Sequence, residues 1–312
     1  MTAKIILLIL LGAVLFLFIL PTLVATHFLY RIILVRTKPE KWGRECPMPE
    51  DAEYKRMFDL GMEWHNAHHA QKSEVSVTSD GLRLMGEYFD FGFDRAVIII
   101  AGRTESLLYS YYFAEPYRAA GWNVLVIDNR AHGLSEGRKC CLGYQEYRDL
   151  LEWSRMLHDE KGAKKVLFHG ICIGASTALF ALTAPDAPDY LAGLVAEGMY
   201  ATFGESFKNH MLLDHRPIFP FFWGAMANIR IFSGANVVTD GPIKRISMLR
   251  KPILFLHSRE DVFSVPARAQ ELYDLCQSDK ELVWFSSGSH SRIRINETEH
   301  YDAAVTRFVT KL

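Results

Sequence analysis

One stretch of the chain, Lys165–Ser176, constrains the fold more than any other. Its apolar start, Val166 to Phe168, predicts a buried strand, and the small residues after Gly174 predict a helix. Between them, Gly-Ile-Cys-Ile-Gly predicts a sharp turn with Cys172 at the apex, because larger residues beside it would collide with the neighbouring strand or helix. The stretch therefore predicts a thiol at a helix N-terminus, where unpaired N–H groups favour a thiolate or an oxyanion.

Short apolar runs on both sides of this stretch predict a sheet. Alternating runs at 74–78 and 82–89 predict an antiparallel pair, whereas continuously apolar strands are typical of parallel sheets. Further strands are predicted at 96–101, 122–127, 191–196, 253–256 and 282–285, and helices at 107–120, 144–158 and 299–312. This alternation predicts an α/β fold with a mostly parallel, doubly wound sheet and helices on both faces.

The N-terminal residues differ in composition from the rest of the chain. Ile5–Leu20 is almost entirely apolar, and the apolar character continues to Tyr30, while about 20 such residues suffice to cross a bilayer. We expect residues 1–30 to form an uncleaved, single-span transmembrane anchor. A cleaved signal peptide is the alternative, although no clear small-x-small cleavage site follows. Basic residues after the span outnumber Lys4 before it, which favours a cytoplasmic location for the remaining chain.

Residues 31–73 are polar and predict a helical connector. His65, His68 and His69 have a helical spacing that would place two imidazoles on one face, as a metal site requires. No acidic or cysteine partner with ligand spacing stands out nearby, so a solvated helix face is the preferred interpretation and no metal is expected. The five cysteines are an odd set without zinc-ligand spacing and are interpreted as free thiols.

The turn at Cys172 resembles the nucleophile elbow of the α/β-hydrolase superfamily, with cysteine in place of the usual serine, as in dienelactone hydrolase. Asp128–Ser135 resembles the D-x-R-x-H-G-x-S segment of that superfamily, which packs near the elbow, so His132 is not expected to be catalytic. A closing pattern that includes Tyr301 is similar to a membrane-anchored bacterial branch related to serine aminopeptidase-like and acyl-esterase hydrolases. The resemblance implies an α/β-hydrolase domain over residues 74–312.

In that superfamily an acid and then a histidine base follow the nucleophile along the chain, each after a different strand. Asp261 fits the acid, and Glu260 is the second choice because the family's proline usually stands one residue closer to the acid. His290 fits the base, since it falls on the loop after the last predicted strand. His257 belongs to the strand before the acid and His300 to the closing helix, so neither is preferred.

The resemblance also implies an oxyanion hole and a cap. The backbone N–H groups would come from Ile173, directly after the nucleophile, and from Arg103, after the predicted strand at 96–101. The Arg103 side chain is a candidate to engage an anionic group of the substrate. Residues 202–246 are rich in aromatic residues and proline and interrupt the strand–helix alternation where the superfamily carries a lid. We expect a helical cap insertion there, with an apolar wall.

Together these features predict a hydrolase that acts on an ester or thioester of a small-molecule acyl substrate. Cys172, assisted by His290 and Asp261, would form a covalent acyl-enzyme that water clears. Two alternatives stay open: a catalytically inactive binding or scaffolding protein at the membrane, since fold does not dictate function, and a peptidase or amidase. No cofactor is expected, and the balance of 35 basic and 36 acidic residues predicts no general attraction to nucleic acid.

Overall fold

The structure, a computed structural model, describes residues 3–312, whose strands form one sheet of eight. In chain order the strands are β1 Lys72–Ser79, β2 Leu82–Phe89, β3 Arg95–Ile100, β4 Asn123–Ile127, β5 Lys165–Ile171, β6 Leu191–Glu197, β7 Ile253–Ser258 and β8 Lys280–Phe285. Across the sheet they lie in the order β1-β2-β4-β3-β5-β6-β7-β8. β2 is antiparallel to both neighbours, and every other pair is parallel. The predicted mostly parallel, doubly wound sheet is confirmed.

Helices precede the sheet and connect most of its strands. Within the described residues they are α1 Ala3–Leu34, α2 Ala52–Ala67, α3 Leu107–Ser110, α4 Glu115–Ala119, α5 Glu146–Asp159, α6 Ile173–Leu182, α7 Phe203–Leu213, α8 Phe221–Ser233, α9 Pro242–Arg245, α10 Pro266–Leu275, α11 Ile293–Asn296 and α12 Thr298–Val309. A short π-helical stretch, Leu15–Ile19, lies within α1.

Three helical segments differ from their predicted bounds. The helix expected at 107–120 is divided into α3, a 3-10 turn at Tyr111–Phe113 and α4, because Pro116 lacks the N–H that would carry one helix through. The connector expected at 31–73 holds one long helix, α2, and several prolines precede it. α1 continues to Leu34, beyond the expected end of the anchor, whose first two residues lie outside the described part of the chain.

The sheet buries alternate residues of each strand on opposite faces. In β3, Val97 and Ile99 pack with α2, α3, α4 and α12, whereas Ile98 and Ile100 pack with α5, α6 and α10. Successive side chains of a strand point to opposite faces, so a sheet covered on both sides requires strands that are apolar throughout. Helices cover both faces, as predicted.

The long helix α1 has two parts in different surroundings. It is the one helix among residues 3–312 that is long and apolar enough to cross a membrane, with a mean hydropathy of 3.0 in its most apolar window. No residue of its first part, Ala3–Ile19, is buried. Its second part packs along α8, where Thr26, Tyr30 and Leu34 are buried. The apolar helix is therefore continuous with the folded domain.

Residues 202–246 contain α7, α8 and α9 and, within the described chain, no strand. Side chains of α7 and α8, among them Phe203, Met211 and Phe222, form one apolar cluster with Tyr30 and Leu34 of α1. We call α7, α8 and the second part of α1 the roof, because they cover the turn between β5 and α6.

Candidate active site

Cys172 stands at the apex of the turn between β5 and α6. Its backbone has φ 55° and ψ −111°, a conformation that non-glycine residues adopt only where the surroundings enforce it. The flanking glycines provide the space. A Cβ atom on Gly170 would lie 2.3 Å from the backbone nitrogen of Ala175, and one on Gly174 would lie 2.3 Å from the carbonyl oxygen of Ile100. The thiol thus stands at the N-terminus of α6.

Asp261 and His290 meet on the loops that follow β7 and β8. His290 donates from Nδ1 to Asp261 Oδ2 at 2.6 Å. The other carboxylate oxygen of Asp261 accepts from the backbone N–H groups of Phe263 and Ser264, at 2.9 and 2.8 Å. The carboxylate is fixed from both sides, which leaves Nε2 as the ring nitrogen of His290 that can exchange a proton with a nucleophile.

The other acid and base candidates are placed differently. Glu260 is exposed to solvent. His257 is buried and donates from Nε2 to the carbonyl oxygen of Ser264 at 2.6 Å. His300 lies on α12 beside Glu297, at 3.0 Å. Unlike His290, neither His257 nor His300 lines the cavity that contains Cys172.

The charges of the three candidate catalytic groups support one another. Burial disfavours charge on Asp261 and on His290, whose side chain is 14% exposed. Their mutual attraction outweighs burial and lowers the pKa of Asp261. The same attraction, together with a thiolate at Cys172, raises the pKa of His290 well above its usual value. The arrangement favours the charged imidazolium form of His290.

The two expected oxyanion donors line the same cavity as Cys172. The backbone N–H groups of Arg103 and Ile173 have no hydrogen-bond acceptor among residues 3–312, so both are available to a ligand. The side chain of Arg103, expected to engage an anionic substrate group, donates from Nη1 to the carbonyl oxygen of Ile33 in α1 at 3.1 Å. The loop after β3 is thereby joined to the roof.

The fold has counterparts among known proteins. Residues 95–223 match the family described as alpha/beta hydrolase fold. The esterase Pf2001 of Pyrococcus furiosus superposes with a TM-score of 0.68 at 22% identity, over 79% of this chain and 93% of its own. The chain has the α/β-hydrolase fold. The fold prediction is thus confirmed.

One further protein is similar to this chain in sequence, and two more are similar in structure. The uncharacterized protein YqkD of Bacillus subtilis (strain 168) is 27% identical over 220 residues, 69% of this chain and 71% of its own. Alpha/beta hydrolase domain-containing protein 10 from mouse has a TM-score of 0.56 at 16% identity, over 77% and 99% of the two chains. An acylaminoacyl peptidase of Pyrococcus horikoshii has a TM-score of 0.56 at 17% identity, over 77% of this chain and 40% of its own.

A cavity of about 470 Å³ lies between the α/β-hydrolase sheet and the roof. Cys172, His290 and the Arg103 loop form its polar side. Much of its remaining wall comes from α7 and from Leu29 and Ile33 of α1, and the charged Asp214 and Arg216, just after α7, also line it. The cavity therefore has a reactive floor and an apolar roof, which suits a substrate with one polar and one apolar end.

His132 supports the oxyanion loop from behind. Its Nε2 donates to the carbonyl oxygen of Arg103 at 2.6 Å, and its ring stacks on Trp42 with centroids 4.5 Å apart. Burial lowers the pKa of His132, which favours the neutral ring. These contacts agree with the expectation that His132 has a structural role.

A buried carboxyl group lies behind the nucleophile. The carbonyl oxygen of Glu197, at the end of β6, accepts from the backbone N–H of Cys172 at 2.8 Å. Its carboxylate accepts from the hydroxyl of Tyr301 at 2.6 Å. Burial raises the pKa of Glu197 to about 7, although the Tyr301 hydrogen bond acts in the opposite direction.

Two of the three histidines at the end of α2 pack against aromatic rings. His65 lies against the ring of Tyr111, with centroids 4.7 Å apart, and His68 lies against Trp64 at 4.6 Å. The expectation of a solvated helix face holds for His69, which is exposed, and is wrong for His65 and His68, because Tyr111 and Phe91 from elsewhere in the chain also pack against them. Among residues 3–312 no group of three or more histidines, cysteines and carboxylates is arranged to hold a metal ion.

Sequence reasoning did not identify the part of α1 that lines the cavity, nor Glu197. A signal for the first was present: Thr22, Thr26 and Tyr30 recur every four residues in a largely apolar helix. Such spacing places them on one face, which indicates contact with another element. For Glu197 no local pattern separates a buried carboxyl from one at the exposed end of a strand.

Proposed function

We propose that the chain is a hydrolase that cleaves an acyl ester or thioester with Cys172 as nucleophile, His290 as base and Asp261 as its orienting acid. One observation carries the proposal. His290, hydrogen-bonded to the buried Asp261, lines the same cavity as a thiol held in a strained turn at a helix N-terminus. This combination supports activation of the thiol, which a buried, inert cysteine would not need.

The reaction has two stages. The thiolate of Cys172 attacks the acyl carbonyl carbon, and the oxyanion is held by the backbone N–H groups of Arg103 and Ile173. The bond to the leaving alcohol or thiol then breaks as His290 gives that group its proton. A water molecule, deprotonated by His290, attacks the thioacyl carbon, releases the carboxylic acid and restores the thiolate–imidazolium pair.

We further propose that α1 is a retained single-pass membrane anchor, with residues 74–312 as the catalytic domain and 202–246 as its cap. Burial of Thr26, Tyr30 and Leu34 in the roof supports retention, because cleavage after a signal peptide would strip a packed wall from the cavity. Basic residues after the span support a cytoplasmic catalytic domain. Residues 31–73 then connect anchor and domain.

The test uses full-length protein in detergent micelles and iodoacetamide at neutral pH. We expect labelling of Cys172 to be much faster than that of Cys46, a free thiol that is also partly exposed. Replacing His290→Ala should slow labelling at Cys172 alone. Turnover is then measured on a butyryl ester, a butyryl thioester and a butyryl anilide, with Cys172→Ala and Cys46→Ala as the matched pair.

The outcomes separate the alternatives. Ester or thioester turnover that is lost in Cys172→Ala and retained in Cys46→Ala supports the proposal. Cleavage of the anilide alone would identify an amidase or peptidase. Labelling of Cys172 no faster than of Cys46, without turnover, would identify a binding or scaffolding protein.

A further inference from the structure

The free part of α1 is about as long as a bilayer core is thick. Ala3–Ile19 contains no buried residue, and at about 1.5 Å per residue this part extends about 26 Å. A hydrocarbon core measures about 30 Å. If the free part spans the core, the boundary on the side of the folded domain falls close to Pro21 and Thr22.

The cap helix α8 runs beside α1 in the same direction. A Cβ atom on Gly224 would lie 2.7 Å from Thr26 Oγ1 and 3.0 Å from Thr22 Cγ2. One turn further, Asn228 donates to Thr26 Oγ1 at 2.9 Å and to the Leu23 carbonyl at 3.0 Å. The two helices thus approach closely at a glycine and are joined by a polar side chain, as is typical of helices that pack within membranes.

The parallel register sets the depth of the N-terminal tip of α8. The far end of the contact pairs Tyr30 with Ser233, whose hydroxyl groups lie 3.1 Å apart. Gly224 lies level with Thr22 and Thr26, so the residues before it lie near the level of Pro21. The tip therefore reaches the membrane boundary deduced from α1.

The tip, which we define as residues 219–223, carries three large apolar side chains that are exposed. Phe219 is 80% exposed and Trp223 is 57% exposed, with Phe221 exposed between them. Tryptophan is enriched at membrane–water interfaces, because its ring is apolar and its N–H is polar. The tip is continuous with the free part of α1, so a single apolar surface passes from the span to the cap.

The helix α1 that packs against α8 also forms part of the cavity wall, together with α7. Leu29 and Ile33 of α1 and Phe207 and Met211 of α7 line the cavity together with Cys172. Leu29 directly precedes Tyr30, which packs against α8. Leu29 lies about two helical turns beyond Pro21, so an acyl chain that follows α1 out of the bilayer would reach the cavity wall there.

From these contacts we propose that the tip of α8 enters the membrane beside α1, and that the substrate is a long-chain acyl ester resident in the bilayer. The inference rests on the proposed function for its chemistry, and on the register of α1 and α8 for its geometry. It selects an ester of a membrane lipid as the substrate class, and it makes α1 part of the substrate path as well as an anchor.

The first experiment measures insertion without activity. Full-length protein is placed in phosphatidylcholine nanodiscs with and without brominated acyl chains, which quench nearby tryptophan. We expect brominated lipid to quench part of the fluorescence of the six tryptophans, and Trp223→Phe to abolish most of that part. Quenching that is absent, or equal in Trp223→Phe, would overturn insertion of the tip.

The second experiment compares two substrates with one leaving group. 4-Methylumbelliferyl palmitate partitions into nanodiscs, whereas the butyrate is presented from water. We expect the double variant Phe219→Glu/Trp223→Glu to lose at least tenfold in palmitate turnover and to keep butyrate turnover within twofold. Met248→Glu, at an apolar side chain that is 53% exposed on the hydrolase body, should change neither.

The palmitate and butyrate results distinguish three cases. Unchanged palmitate turnover in the double variant would overturn entry from the bilayer. Equal loss of both substrates would also overturn it, since the defect would then lie in the chemistry or the fold. If the wild type cleaves neither ester, the proposed function and the lipid substrate fall together, while the quenching experiment still decides whether the tip inserts.

Discussion

The floor and the roof of the cavity are built by different kinds of interaction. The floor is a set of loops at the ends of parallel strands, where Asp261 is held by one side-chain and two backbone hydrogen bonds. The roof is held mainly by apolar contacts, with few polar links such as that of Asn228 to α1. The candidate catalytic groups therefore lie at the ends of strands, whereas the opposite wall of the cavity comes from helices that are held together by side-chain packing.

The largest expected effect is on the floor. Asp261→Asn should lower kcat by about 10²–10⁴-fold, because the amide no longer holds His290 in the productive tautomer. Its neighbour Glu260 is exposed, so Glu260→Gln should leave kcat almost unchanged. Steady-state kinetics on the butyryl ester measures both, and an equal loss in the two variants would contradict the choice of acid.

The next effect concerns how the buried carboxyl group of Glu197 makes the stability of the protein depend on pH. The pKa of Glu197 is about 7 in the folded protein and about 4.5 when unperturbed, so the folded state holds a proton between these values that the unfolded state releases. The stability that this proton provides is complete below about pH 4.5 and is lost as pH rises through 7.

Glu197→Gln keeps a neutral acceptor for Tyr301 at every pH. Relative to the wild type, it should therefore gain stability between pH 4.5 and 7, up to about 3 kcal/mol above pH 7. Thermal unfolding in detergent across this pH range measures the difference. A difference in melting temperature that does not change with pH would refute this assignment of the proton.

A third effect tests the joint between α1 and α8. Gly224→Leu would drive a side chain into Thr26, and overpacking of this kind costs about 1–3 kcal/mol. Gly12 has nothing within 4 Å of its Cβ position, so Gly12→Leu should be neutral. We expect a lower melting temperature in detergent for the first variant alone; equal melting would mean that the roof does not depend on this approach.

The smallest effect links roof and floor. Arg103→Met removes the bond from the oxyanion loop to Ile33 and should lower kcat by about threefold to tenfold, since the N–H donor remains but is less well positioned. Lys41 also caps the end of α1, with Nζ 2.6 Å from the carbonyl oxygens of Ile32 and Val35, but lies outside the loop. Lys41→Met should change kcat less than twofold, and a matching decrease would show that the end of α1 is the cause.

Much of the floor could be predicted because its signals are local. The turn at Cys172 is specified by glycines two residues away on either side, and apolar runs of a few residues predict the strands. The order of Asp261 and His290 after the elbow follows from a topology in which strand ends share one edge. These features need no knowledge of distant contacts.

The sequence by itself determined the strands, the elbow and the identity of the residues that could serve as nucleophile, acid and base. Only the tertiary structure decided that Asp261 rather than Glu260 meets His290, that Arg103 binds α1, and that α1 walls the cavity. The physical reason is separation along the chain. Asn228 and Thr26 are 202 residues apart, and a pattern of period 3.6 or 2 reveals which face is buried but not what covers it.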